Sequence, residues 1–60
     1  MNLNQQELQN LRHLIGAHEM IEKKLNLYTE QCQDSQAKQM FKQSAQSASH
    51  TRQKLMTFLG

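Results

Sequence analysis

Apolar residues in the first half of this chain recur at helical spacing and form one stripe. Four stripe positions lie seven residues apart, and further apolar residues lie within one turn of them on the same face: Leu11, His18, Leu25 and Cys32, flanked by Leu14, Ile15, Ile21 and Tyr28. In the second half the same spacing lands on glutamines: Gln39, Gln46 and Gln53. The apolar positions there are shifted: Ala37, Phe41, Ala48, Leu55 and Phe58. One straight helix cannot bury both stripes on one side, so a turn is predicted between them.

This change of phase predicts two helices joined by a short turn. Helix 1 is expected over about residues 4–32, the turn over residues 33–35, and helix 2 over about residues 35–59. The two helices are similar in length, as an antiparallel hairpin requires. One continuous helix in a coiled coil is the alternative, and the interrupted heptad argues against it.

Polar residues that favour helix N-termini stand at the start of both predicted helices. Asn4 and Glu7 have the spacing of a capping box, in which each side chain binds the backbone of the other residue. Asp34 or Ser35 can accept backbone N–H groups at the start of helix 2. These signals support the predicted helix starts.

The apolar stripe of helix 1 is too wide for one partner helix to cover. It spans roughly 140° on an ideal helical wheel, which suits a helix in a four-helix bundle. The sequence therefore predicts an all-α, two-helix antiparallel hairpin that forms a homodimer and so completes a four-helix bundle. The predicted core and dimer residues are Leu11, Ile15, His18, Leu25, Tyr28, Phe41, Ala48, Thr51, Leu55 and Phe58.

The composition agrees with a small helical domain and limits how it can be stabilised. The 60 residues include no proline and two glycines, and the lone Cys32 can form neither an internal disulfide nor a cysteine-based zinc motif. A domain of this size buries little apolar surface, and oligomerisation is then the remaining common way to stabilise it. No apolar run is long enough for a membrane span or a secretory signal. We therefore expect a cytoplasmic protein with a reduced thiol.

The formal net charge is +2, and acidic residues interrupt the basic ones along both helices. Nucleic-acid binding usually involves a denser basic stripe or aromatic groups that stack on bases. Nucleic acid is therefore not an expected partner, and a solvated helical surface explains the charges.

The three histidines differ in their predicted positions. His13 and His50 lie away from the stripe centres and are expected to be exposed. If the turn is centred near residues 33 and 34, His18 lies level with residues 48–51 of helix 2.

His18 therefore has two interpretations. It is either a neutral core residue, satisfied by Thr51, Tyr28 or its copy in a dimer, or a metal-binding or pH-sensitive group. Glu22, one turn further along helix 1, is the carboxylate that could assist it.

Three runs of residues carry a resemblance to a known family: His18 through Lys23-Lys24, Tyr28 through Cys32, and Leu55 through Leu59. They resemble the small coat F-type spore coat proteins of the ferritin-like helical superfamily. The resemblance implies a hairpin that forms half of a four-helix bundle. It also implies a structural role in the spore coat of a Gram-positive sporulating bacterium, with other coat proteins as partners.

Ferritin-like metal sites place a glutamate on one helix and a Glu-x-x-His pair on its partner. By position, His18 stands where the first glutamate would be, and Ala48 and Thr51 stand where the pair would be. We therefore expect no catalytic residues, no cofactor and no metal centre, with His18 and Glu22 as the only weak ligand candidates.

The predicted function is that of a non-enzymatic structural or assembly protein, a spore-coat-like homodimeric bundle. Two alternatives remain open at this point. One is a degenerate ferritin-like metal-binding protein that uses His18. The other is an RNA-binding hairpin dimer similar in architecture to the Rop-type bundles.

Overall fold

Two helices make up most of the computed structural model, which describes residues 2–59. Helix α1 spans Gln5–Gln31 and helix α2 spans Ser35–Met56. The three residues 32–34 connect them, and one 3-10 turn, Thr57–Leu59, follows α2. The prediction of an all-α chain with two helices is confirmed.

Both predicted N-terminal caps are present. The Asn4 side chain accepts a hydrogen bond from the Glu7 backbone N–H at 2.7 Å, and the Glu7 carboxylate accepts one from the Asn4 N–H at 3.1 Å. At the start of α2, the Asp34 carboxylate accepts the Ala37 N–H at 2.8 Å. Each cap satisfies a backbone donor that has no partner inside its helix.

The C-terminal end of α2 differs from the predicted helix, which ran to about residue 59. The α-helix ends at Met56, and the chain continues as a 3-10 turn. The Thr57 hydroxyl donates a hydrogen bond to the Lys54 carbonyl at 2.6 Å. A side chain that takes this carbonyl competes with the regular helical bond, and 3-10 turns are frequent at helix ends.

The two helices run antiparallel and form a single layer. Near the turn, the rings of Tyr28 and Phe41 have their centroids 6.0 Å apart. Further from the turn, the Glu22 carboxylate meets the Arg52 guanidinium. The Cα atoms span 45 × 14 × 11 Å, and within residues 2–59 each of the two long helices packs on one other long helix.

The seam, our name for the contact between α1 and α2, buries few side chains. Leu11, Ala45 and Ala48 are the buried apolar residues, with exposures of 9%, 2% and 8%. Because two of them are alanines, α2 offers little apolar area to α1. The half-buried residues of both helices include Leu8, Ile15, His18, Glu22, Leu25, Thr29, Phe41, Arg52 and Leu55.

The predicted core residues divide between the seam and the surface of the hairpin. Those that are buried or half-buried are Leu11, Ile15, His18, Leu25, Phe41, Ala48 and Leu55. Tyr28, Thr51 and Phe58 are exposed in the single hairpin. Their burial in a dimer stays a prediction.

One ion pair lies within the seam. Glu22 Oε2 and Arg52 Nε are 3.5 Å apart, and the two side chains are only 24% and 25% exposed. Neither atom has a hydrogen-bond partner within residues 2–59. Each charge is therefore compensated mainly by the other, and removing one leaves its partner poorly solvated.

We expect Ala45→Leu to destabilise the hairpin. Ala45 is 2% exposed, and a larger side chain there would push the helices apart. The free energy of unfolding should fall by about 1–3 kcal/mol, measured by urea denaturation followed by circular dichroism. Gln46→Leu, at the adjacent exposed position, is the control and should change stability much less. Equal stability of the two variants would contradict close helix packing at Ala45.

Arg52→Met should cost about 1–2 kcal/mol of unfolding free energy, because it leaves the Glu22 carboxylate without a counter-charge. Methionine keeps a long apolar stem, so most of the packing is retained. The double variant Glu22→Met/Arg52→Met should recover much of the loss. Lys23→Met is the control, because the Glu19–Lys23 pair lies on the exposed surface. Thermal unfolding of the four proteins tests this, and a wild-type melting temperature for Arg52→Met would refute it.

Candidate functional site

The two sides of the hairpin that flank the seam differ in polarity. On one side, α1 presents Leu14, Ile21 and Tyr28, which share a face because they are seven residues apart. These side chains are 46%, 46% and 47% exposed. Met40 of α2, which is 63% exposed, lines the same side. We call this surface the apolar side.

An open groove runs along the middle of the apolar side. Its lining residues come from both helices and carry no acidic group, lysine or arginine: His18, Ile21, Leu25, Met40, Gln43, Ser44, Ser47, Ala48 and Thr51. Helix α1 supplies the larger aliphatic side chains, and α2 supplies a row of small ones. The groove is therefore a shallow channel with a ridge of large residues along one edge.

The opposite surface, which we call the polar side, has a different character. Its residues include acidic, basic and amide groups from both helices: Asn26, Thr29, Glu30, Ser35, Lys38, Gln39 and Lys42. Charged side chains of both signs are well solvated at such a surface. The hairpin therefore has one side suited to water and one side that leaves apolar groups uncovered.

His18 lies in the groove and has a defined hydrogen bond. Its Nδ1 is 2.8 Å from the carbonyl oxygen of Leu14, one turn earlier. Because a carbonyl can only accept, Nδ1 carries the proton, and in the neutral ring Nε2 carries the lone pair. His18 is half-buried and lines the groove together with Ala48 and Thr51. These are the residues that the predicted register placed level with it.

The other candidate ligands are separated from His18. Glu22 forms the seam ion pair with Arg52. His13 and His50 are exposed, and Cys32 is a free thiol whose Sγ lies 3.5 Å from the Asp34 carbonyl oxygen. Among residues 2–59, no group of three or more His, Cys, Asp or Glu side chains could hold a metal ion.

Sequence reasoning missed Ala45 and the Glu22–Arg52 pair as seam elements. The spacing of the residues could have indicated them. In α1 the buried and half-buried positions are separated alternately by three and four residues, and residues 18, 22 and 25 fit this series. Residues 45, 48, 52 and 55 of α2 follow it too. Their polar or small character concealed the pattern.

The chain exposes more surface than a compact protein of its mass. The accessible area is 4899 Å². A folded monomer of 7.0 kDa is expected to expose about 4,000 Å². The excess is about 900 Å², and a standard protein–protein interface buries about 800 Å² on each partner.

Within the described residues, neither helix combines the length and apolar character needed to cross a membrane. Comparison with known proteins finds no matching family model, no matching curated protein and no matching solved structure. The resemblance to spore coat proteins therefore stays a prediction, and the function has to be argued from the two sides of the hairpin.

Proposed function

We propose that this chain is a non-enzymatic assembly protein that acts as a homodimer. In this proposal two hairpins pack their apolar sides against each other and complete a four-helix bundle. The observation that carries it is the apolar side itself, where Leu14, Ile21 and Tyr28 are almost half exposed. A cluster of exposed apolar side chains of this kind is typical of an interaction site.

The accessible area supports a second copy of the chain as the occupant. The excess of about 900 Å² is close to the area that one partner contributes to a standard interface. The dimer would also give α1 a second neighbouring helix, which its wide stripe needs. Oligomerisation is one of the common ways in which a small domain with few buried residues is stabilised.

The shape and charge of the groove also favour self-association. A symmetric dimer places the same surface patch on both sides of the contact, so any charge in the patch would be present twice in the interface. Acidic groups, lysine and arginine are missing from the groove lining. Ile21 and Leu25 form its ridge, and Ser44 and Ser47 leave room for the ridge of the second copy.

The assembly role extends this proposal beyond the dimer. Once the apolar sides are covered, the exterior consists of the polar sides and the outer faces, which would meet other proteins. A spore coat location, with other coat proteins as partners, is the part of the proposal that rests on the resemblance alone. An RNA-binding role is less favoured, because Glu30 accompanies Lys38 and Lys42 on the polar side.

The purified protein should sediment as a dimer of about twice 7.0 kDa at micromolar concentration. Ile21→Lys should shift it to monomer, because a lysine there would place two like charges in a charge-free contact. Met20→Lys is the matched control, since Met20 is an adjacent, exposed residue of α1 outside the groove lining. Analytical ultracentrifugation of the three proteins measures the effect.

The melting temperature provides a second measurement. It should rise with protein concentration in the wild type and in Met20→Lys, because association stabilises the folded state by mass action. Wild-type protein that sediments as a monomer of 7.0 kDa, with a melting temperature independent of concentration, would disprove the dimer.

A further inference from the structure

We infer that the dimer interface is acid-sensitive, because dimer formation covers the half-buried His18 of each hairpin near the centre of the contact, in surroundings that offer no counter-charge. The inference rests on the proposed homodimer. It adds that the dimer forms when both His18 side chains are neutral and separates when they are protonated.

The position of His18 along the hairpin is the first step. Helix α1 spans Gln5–Gln31, so His18 is its middle residue. A two-fold axis that superimposes two such faces brings the middle of one face against the middle of the other. This holds whether the two hairpins run in the same or in opposite directions. Full overlap of the apolar sides therefore covers both copies of His18.

The groups around His18 are the second step. From α2, the groove residues facing it are uncharged, and Ser44, Ser47 and Thr51 supply only hydroxyl groups. On α1, the Leu14 carbonyl accepts the Nδ1 proton. In the dimer, symmetry brings the same uncharged lining and a second His18 from the other copy.

The two carboxylates closest to His18 along α1 are already paired elsewhere. Glu22, one turn along α1, lies against Arg52 in the seam at 3.5 Å. Glu19 pairs with Lys23 at 3.5 Å on the exposed surface. No acidic group lines the groove, so an imidazolium there would lack a counter-charge.

The hydrogen-bond requirements of the two protonation states are the third step. Neutral His18 donates from Nδ1 to the Leu14 carbonyl, and its Nε2 lone pair can accept a hydroxyl proton in the groove. After protonation, Nε2 becomes a donor and the ring carries a full charge. A buried charge without a partner is strongly unfavourable, and two of them in one interface also repel each other.

The free hairpin has no such restriction, because its open groove lets water solvate the imidazolium. The separated hairpins therefore bind more protons than the dimer as the pH falls, and acid favours separation. Histidine side chains in general change charge between about pH 5 and 8. Because two protons are released per dimer formed, the dimer dissociation constant should rise more than about tenfold from pH 7.5 to pH 5.5.

The test is the dimer dissociation constant at pH 7.5, 6.5 and 5.5, measured by sedimentation equilibrium. Most carboxylates stay ionised over this range, so histidine dominates the response. His18→Gln should remove the pH dependence, because glutamine keeps hydrogen-bonding groups but does not ionise. His18→Leu is a second variant that suits an apolar contact and should also be independent of pH.

The other two histidines supply matched controls. His13 and His50 are exposed and lie outside the groove lining, so His13→Gln and His50→Gln should keep the wild-type pH response. A wild-type dimer whose dissociation constant does not change with pH overturns the inference. So does a pH response that persists in both His18 variants. A wild-type monomer at pH 7.5 would instead refute the proposed dimer itself.

Discussion

The narrow seam between the two helices is the constraint on which the rest of this structure depends. Helix α2 faces α1 with Ala45 and Ala48 at its most buried positions. These residues allow the helices to approach closely, but each contributes little apolar area. A hairpin stabilised by such a seam leaves much of the α1 stripe in water. The exposed apolar side therefore follows from the small residues of α2.

The wide stripe of α1 is divided into two parts by this geometry. Leu11 and Ile15 belong to the part that packs on α2. Leu14 and Ile21 belong to the part that stays exposed on the apolar side. The ion pair between Glu22 and Arg52 occupies the seam where a further apolar contact could have been. The seam between the helices thus contains few apolar side chains for the core of a small domain, whereas several apolar side chains lie exposed on the apolar side.

The helices could be predicted from local sequence signals. The residues of the seam could not, because they depend on how the two helices align. The caps at Asn4 and Asp34 use side-chain contacts within three residues, so the sequence alone indicated them. Arg52 is a seam residue only because the turn brings it level with Glu22. A charged side chain considered alone is expected at the surface. Periodicity marks the face that carries Tyr28 and Phe58 as apolar without saying which partner covers it, so the burial of these two residues stays a prediction.

The charge distribution explains why one position on the apolar side has special importance. Lysine, arginine and the carboxylates are absent from the groove lining, so His18 is its one ionisable side chain. A leucine at this position would complete the apolar stripe and give a contact insensitive to pH. A histidine at this position donates its Nδ1 proton to the Leu14 carbonyl and leaves Nε2 free for a second hydrogen bond. In the proposed dimer, the residue that interrupts the apolar stripe is therefore also the one through which acid would weaken the contact.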